Sequence, residues 1–175
     1  MTKALVIIDV QKAMFENPAL QPFEGEAVVS RIAGLIAGAR KQGTPIFFVQ
    51  HDGGTDSPFG AGKPGFAFHD RLVPTPGDDL TVKTKSSAFH GTDFDARLRR
   101  AGIDHLVITG MQSEYCVTSA IRGAFERGFK ITLVSDAHST VDTGVADART
   151  IVAVINDTTR GSFGRVIPAA EIRFA

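Results

Sequence analysis

A single cysteine, Cys116, stands in the stretch Gly-Met-Gln-Ser-Glu-Tyr-Cys-Val at residues 110–117. The residues before it, 105–109 (HLVIT), form a short apolar run that reads as a buried strand. After it, Val117, Ala120, Ile121, Ala124 and Phe125 recur at helical spacing and predict one apolar helix face. Gly128 is placed to stop that helix. The thiol is therefore expected in the first helical turn after a strand. There the unpaired backbone N–H groups and the helix dipole favour a thiolate. A thiolate at such a corner is a nucleophile for acyl transfer. A free cysteine is also among the most buried residue types, so plain packing is the alternative reading of Cys116 by itself.

Two further residues complete a coherent set. Asp9 closes the run KALVIID at residues 3–9, which is apolar on both faces and predicts a central parallel strand. Lys83 closes a short strand at 80–83, with Lys85 two residues on as its competitor. A carboxylate can take the thiol proton and return it to a leaving amine. An ammonium lowers the thiol pKa and holds the carboxylate ionised. Backbone N–H groups of the turn at 111–116 can bind the oxyanion. By itself, Asp9 could equally cap the turn at 11–15, and either lysine could be a solvated surface residue.

The elements that would position these groups alternate along the chain. Val28, Val29, Ile32, Leu35 and Ile36 mark a long helix with Arg40 and Lys41 at its end and Gly43 as its stop. A strand follows at 44–50. Thr92 is placed to cap a helix over 93–101. A strand at 130–134 ends in the polar cluster Ser135-Asp136-Ala137-His138. Val145, Ala148, Ile151, Val152 and Ile155 predict a helix over 142–158, and 165–167 a last short strand. Together these predict α/β architecture: one domain over 1–175 with a doubly wound, mainly parallel sheet in a three-layer α/β/α sandwich. Such a sheet gathers the C-terminal ends of its strands at one edge, where ligands bind. Asp9, Lys83 and Cys116 all fall at that edge.

Composition narrows the partners. Lys+Arg and Asp+Glu are both 19 and the formal net charge is zero, so neither nucleic acid nor a membrane surface is an expected partner. One cysteine excludes an intrachain disulfide and a multi-cysteine zinc site, and a lone free thiol suits a reducing, cytoplasmic setting. The apolar run at 4–10 is broken by Asp9 and no small-residue cleavage site follows, so no secretory leader is expected. Zero net charge gives little colloidal repulsion and suits a homo-oligomer. The irregular stretch 51–76 is long for a loop, which predicts a functional segment. Within it, Gly60-Ala61-Gly62-Lys63-Pro64-Gly65 matches G-x-G-x-x-G, but Ser57-Pro58-Phe59 precedes it instead of a strand, and Pro64 would interrupt a helix. No nucleotide site is expected there.

Four ordered motifs carry a family resemblance over nearly the whole length. They are Val6-Ile7-Ile8-Asp9-Val10-Gln11; Lys83 four residues before Ser87-Ala88-Phe89, with Gly91-Thr92 beyond; Gly110–Val117; and Val134-Ser135-Asp136-Ala137. The chain resembles the isochorismatase-like cysteine hydrolases, nearest the streptothricin-hydrolase-like members. That resemblance implies a Rossmann-like fold and an Asp–Lys–Cys triad at Asp9, Lys83 and Cys116; the spacing to Ser-Ala-Phe selects Lys83 over Lys85. It also implies a cis peptide at Met111–Gln112, oxyanion donors at the N–H groups of Gln112 and Cys116, and a homodimer or homotetramer. The Asp-x-His metal motif of the related nicotinamidases is missing, because that place reads Gln50-His51-Asp52-Gly53. No metal and no cofactor is therefore expected; a metal would have to use His51, Asp52 and His69.

The implied activity is hydrolysis of a C–N bond in a small amide or ureido substrate through a thioester. The alternatives are a vinyl-ether hydrolase of the isochorismatase type, which needs no thiol, and an inactive binding domain of the same fold. Phe15, His51, Phe89, Gln112 and Tyr115 flank triad positions or strand ends and are the candidate substrate contacts. Core packing is the alternative for Phe15 and Phe89, and a subunit interface for Tyr115.

Overall fold

A computed structural model describes residues 2–174. Its sheet has six strands: β1 (Lys3–Ile8), β2 (Ile46–His51), β3 (Asp79–Lys83), β4 (His105–Met111), β5 (Lys130–Ser139) and β6 (Arg165–Ile167). They lie in the order β3-β2-β1-β4-β5-β6, and every pairing is parallel. This is the doubly wound arrangement, whose order reverses between β1 and β4. β1 and β4 are buried along their length because helices cover both faces, which is why they read as continuous apolar runs.

The helices are α1 (Lys12–Glu16), α2 (Gly25–Lys41), α3 (Phe94–Arg100), α4 (Thr118–Glu126) and α5 (Ala148–Ser162). One core layer packs Phe94 and Leu98 of α3, Ala120, Ile121 and Ala124 of α4, and Ile155 of α5 against Val6, Ile8, Ile108 and Leu133 of the sheet. The other packs Val28, Val29, Ile32, Leu35 and Ile36 of α2 against Leu5, Ile7, Phe48 and Val107. No helix among the described residues is long and apolar enough to cross a membrane.

Several sequence expectations need correction. β5 does not stop at Val134 but runs to Ser139. Its pairing with β4 advances from Ile108↔Leu133 to Gly110↔His138, so two residues of β4 oppose five of β5. The extra residues form an irregular bulge that keeps the polar cluster inside the sheet. The last long helix begins at Ala148, not at 142, because the Asp147 carboxylate accepts the Thr150 N–H and caps it there. Val145 is 98% exposed and belongs to the preceding loop. Phe125 is 49% exposed, set edge-on to Phe163, and does not share the buried face of α4. Asp93 stands at the N-cap of α3 without a side-chain capping bond, its carboxylate accepting from Arg97 Nε. Thr92 Oγ1 instead takes the Phe94 N–H at 3.3 Å and donates to the carbonyl of Ala88.

Candidate active site

Strand ends supply the three central groups. Asp9 directly follows β1 with φ 51°, a left-handed conformation uncommon outside glycine though tolerated by Asp. Its N–H still bonds Val49 O at 2.9 Å, so the side chain is re-aimed without leaving the sheet. Lys83 is the last residue of β3, in register with His51 at the end of β2. Lys85 is exposed. Cys116 lies beyond β4, after a cis Met111–Gln112 peptide, in a single wide π-type turn over Ser113–Val117 that precedes α4. It does not sit in the first α-helical turn. π-turns are rare and are frequent at functional sites.

The turn is closed by bonds from Val117 N–H and Tyr115 N–H to Gln112 O, at 3.1 and 3.2 Å. The N–H groups of Gln112 and Cys116, the implied oxyanion donors, take no part in those two bonds. Gly110, at φ +121°, brings the strand into this turn; a Cβ there would collide with the backbone of Ile8.

Lys83 joins the site. Its ammonium lies 2.7 Å from Asp9 Oδ2, donates to Cys116 Sγ at 3.2 Å, and approaches His51 Nδ1 at 3.4 Å. The ammonium has three hydrogens and meets three neighbours. An ammonium facing Nδ1 needs a lone pair there, so His51 is neutral with its proton on Nε2. The Lys83 and Asp9 side chains are 0% and 1% exposed. The Asp9 oxygens make no well-aligned hydrogen bond, only short electrostatic contacts with Lys83 and the thiol.

Burial dominates the titration of this group. It raises the Asp9 pKa above the ordinary carboxylate value, against the opposing pull of Lys83. Burial, and then the negative charge of Asp9, push the Cys116 thiol up to about 12, although Lys83 pulls it down. Burial therefore favours a thiol beside the Asp9 carboxylate over the thiolate that a helix end would favour. Burial and the neighbouring ammonium also lower the His51 pKa.

The remaining candidates fall into distinct places. Met111 is fully buried and Gln112 half-buried at the cis peptide. Tyr115, 54% exposed, stands on the turn one residue before Cys116. Phe89 is buried at 5.0 Å from the Phe94 ring and 6.2 Å from Phe129, with the Arg127 guanidinium over its face. The packing reading describes it. Phe15 packs edge-on to His69 at 4.7 Å. His51, Asp52 and His69 do not converge. Asp52 accepts N–H bonds from Gly54 and Ala61, while His69 accepts from Arg71 N–H and lies 3.5 Å from Glu26. Among the described residues no group of three or more His, Cys, Asp or Glu is placed to hold a metal ion.

Sequence reasoning passed over Gln11, quoted only as part of the first motif. Its fully buried amide accepts the His51 N–H at 2.9 Å and donates to His51 O at 3.0 Å and Phe66 O at 2.8 Å. It thus clamps the end of β2 and the loop beyond. A lone polar residue just after an apolar strand is the signal that could have found it.

Known proteins share this arrangement of chain. Streptothricin hydrolase from Streptomyces noursei is 34% identical over 140 residues, covering 80% of this chain and 50% of that enzyme. The chain thus spans about half of that relative's length. The ureidoacrylate amidohydrolase RutB of Methylobacterium radiotolerans is 28% identical over 171 residues, covering 78% of this chain and 66% of the relative. The crystal structure of a cysteine hydrolase from Pseudomonas syringae pv. phaseolicola 1448A superposes with a TM-score of 0.89 at 25% identity, covering 97% of this chain and 89% of that one. The isochorismatase domain family matches residues 3–162. A thiol, a carboxylate and an ammonium gathered at the switch point of a doubly wound sheet thus sit in a chain that belongs to the isochorismatase family of hydrolases.

Proposed function

We propose that this protein is a cysteine-dependent amidohydrolase that cleaves a C–N bond of a small amide or ureido substrate. The substrate carbonyl oxygen binds at the N–H groups of Gln112 and Cys116. Asp9 removes the thiol proton as Sγ attacks the carbonyl carbon, giving a tetrahedral oxyanion. The oxyanion collapses, the C–N bond breaks, and the protonated Asp9 gives its proton to the departing nitrogen. A thioester remains. Water then attacks it, with Asp9 taking the proton of the water and returning it to the thiolate, which releases the acid. Lys83 balances the charge of Asp9 and of the transient thiolate throughout.

The observation that carries this reading is the position of the buried Lys83 Nζ, 2.7 Å from Asp9 and 3.2 Å from Cys116 Sγ. A vinyl-ether hydrolase would have no use for a thiol held there. The named activities of the ureidoacrylate amidohydrolase and the cysteine hydrolase agree with acyl transfer.

The test is an ammonia-release screen over primary amides and ureido compounds, with intact-mass detection of an acyl adduct on the protein. Wild type is expected to release ammonia and to carry a transient acyl mass; Cys116→Ala is expected to fall to background on both. Full activity in Cys116→Ala would transfer the assignment to a thiol-independent hydrolase. No turnover by wild type on the panel would favour a binding domain.

A further inference from the structure

Behind the Cys116 turn lies a second polar group that the proposed reaction does not use. His138 of β5 is 2% exposed. Its Nδ1 lies 2.8 Å from Ser113 Oγ, and its Nε2 lies 3.1 Å from Asn156 Oδ1 on α5. Asn156 Nδ2 donates to Ser135 O at 3.0 Å, which fixes the amide orientation because a carbonyl only accepts. Asn156 Oδ1 must then accept from His138 Nε2–H, so Nδ1 carries the lone pair. Ser113 Oγ–H donates to it. Every bond in the series runs the same way: Ser113 to His138 to Asn156 to Ser135.

The register of β5 makes this possible. The bulge sets His138 opposite Gly110 and Ser139 opposite Met111, at the root of the turn. Thr140 adds a second tie, donating to Glu114 Oε1 at 2.8 Å. Thr118 Oγ1 donates to Ser113 O at 2.7 Å. Ser113 is thus held through its hydroxyl and its carbonyl, directly after Gln112 and three residues before Cys116.

We infer that Ser113, His138 and Asn156 form a positioning relay that sets the angle of the Cys116 turn, and with it the oxyanion donors and the nucleophile. The relay is neutral along its whole length, so it fixes the backbone without adding charge beside Asp9 and Lys83. A fully satisfied buried network rigidifies what it touches. Small displacements of a reacting group lower rates steeply: a shift of about 1 Å costs on the order of a hundredfold. The assignment rests on the reading of Cys116 as nucleophile; the relay geometry itself does not.

Ser113→Ala and Asn156→Asp carry the test, because His138→Leu would bare two buried groups and threaten the fold. Each variant is assayed below its unfolding transition. Ser113→Ala is expected to lower kcat at least about tenfold with KM within about twofold, since ground-state contacts remain while the oxyanion donors tilt. It is also expected to speed iodoacetamide alkylation of Cys116 as the freed turn opens. Asn156→Asp supplies a carboxylate that draws a second proton onto His138. The Ser113 hydroxyl then reverses to accept, so both histidine bonds survive while the bond to Ser135 O is lost; kcat is expected to fall less than in Asn156→Leu, which loses as much as Ser113→Ala. ¹⁵N spectra of the histidine ring report the switch from one protonated nitrogen to two. Unchanged kcat and alkylation in folded Ser113→Ala would overturn the relay, as would a wild-type ring protonated on Nδ1. If wild type cleaves no amide, the proposed function fails, while alkylation and ring spectra still decide the relay.

Discussion

The Cys116 turn is flanked by two buried polar groups of opposite character. On one side stand Asp9 and Lys83, both charged, with His51 at their edge. On the other stand Ser113, His138 and Asn156, all neutral. The ionic side is poorly satisfied: the Asp9 oxygens keep open acceptor capacity. The neutral side is closed, each ring nitrogen having one partner. The difference separates two tasks. In the proposed reaction a proton moves where the charges are, so acceptors stay unfilled and the pair carries a desolvation penalty. Nothing needs to move where the imidazole is, so its bonds are complete and contribute rigidity.

The sharpest way to break this contrast is Asp9→Asn. Losing the proposed general base is expected to cost about 10²–10⁴-fold in kcat. The same change removes the negative charge that helps to hold the thiol protonated, so its pKa falls and alkylation at pH 8 becomes faster. Enzyme assay and alkylation should move in opposite directions; parallel losses would show that Asp9 is only structural. Next in size is Lys83→Met, which strands a buried carboxylate. It is expected to cost about 3–5 kcal/mol in urea unfolding at pH 7 and to draw a proton onto Asp9. A loss below about 1 kcal/mol would mean that the pair is solvated.

The neutral side predicts a smaller, pH-dependent effect. Burial holds the His138 pKa at about 4, below its ordinary 6.5. The unfolded chain therefore takes the proton first, and stability present above pH 6.5 is lost as pH falls toward 4. The loss amounts to roughly 3 kcal/mol by pH 4. His51 and His105 are shifted in the same direction and add to it. NMR titration should find His138 still neutral at pH 5. The smallest expected effect is that of Lys85→Ala. That side chain is exposed, so stability should stay within about 0.5 kcal/mol and kcat within error.

Much of the ionic side was legible in the sequence and little of the neutral side. Asp9 and Lys83 end short apolar runs, and the parallel topology those runs imply brings their ends to one edge. The choice of Lys83 over Lys85 came from spacing within the family motif, and burial separates the two in the fold. His138 was visible only as part of a polar cluster, because a bulge of β5 leaves no periodic trace. Apolar residues at helical spacing do not mark where a helix begins, which misplaces Val145, nor which helix edge meets the core, which misplaces Phe125. The burial that opposes a thiolate at Cys116 was not legible, because helix-end electrostatics is local, whereas desolvation depends on everything packed around the thiol.

Gly110 has a consequence for how such an enzyme changes its substrate. Because a side chain at this position would strike the backbone of Ile8, the separation between the carboxylate strand and the nucleophile turn is gauged by main chain against main chain. Side-chain turnover in the long 51–76 segment leaves that gauge untouched. Under the proposed function, exposed positions of that loop can therefore vary without moving the carboxylate strand against the turn. In a library built on this scaffold, position 110 stays fixed, as do Gly60 and Gly65, where a Cβ would strike the carbonyls of Gly54 and Pro58, and the exposed Thr55, Asp56 and Lys63 are the loop positions to randomise.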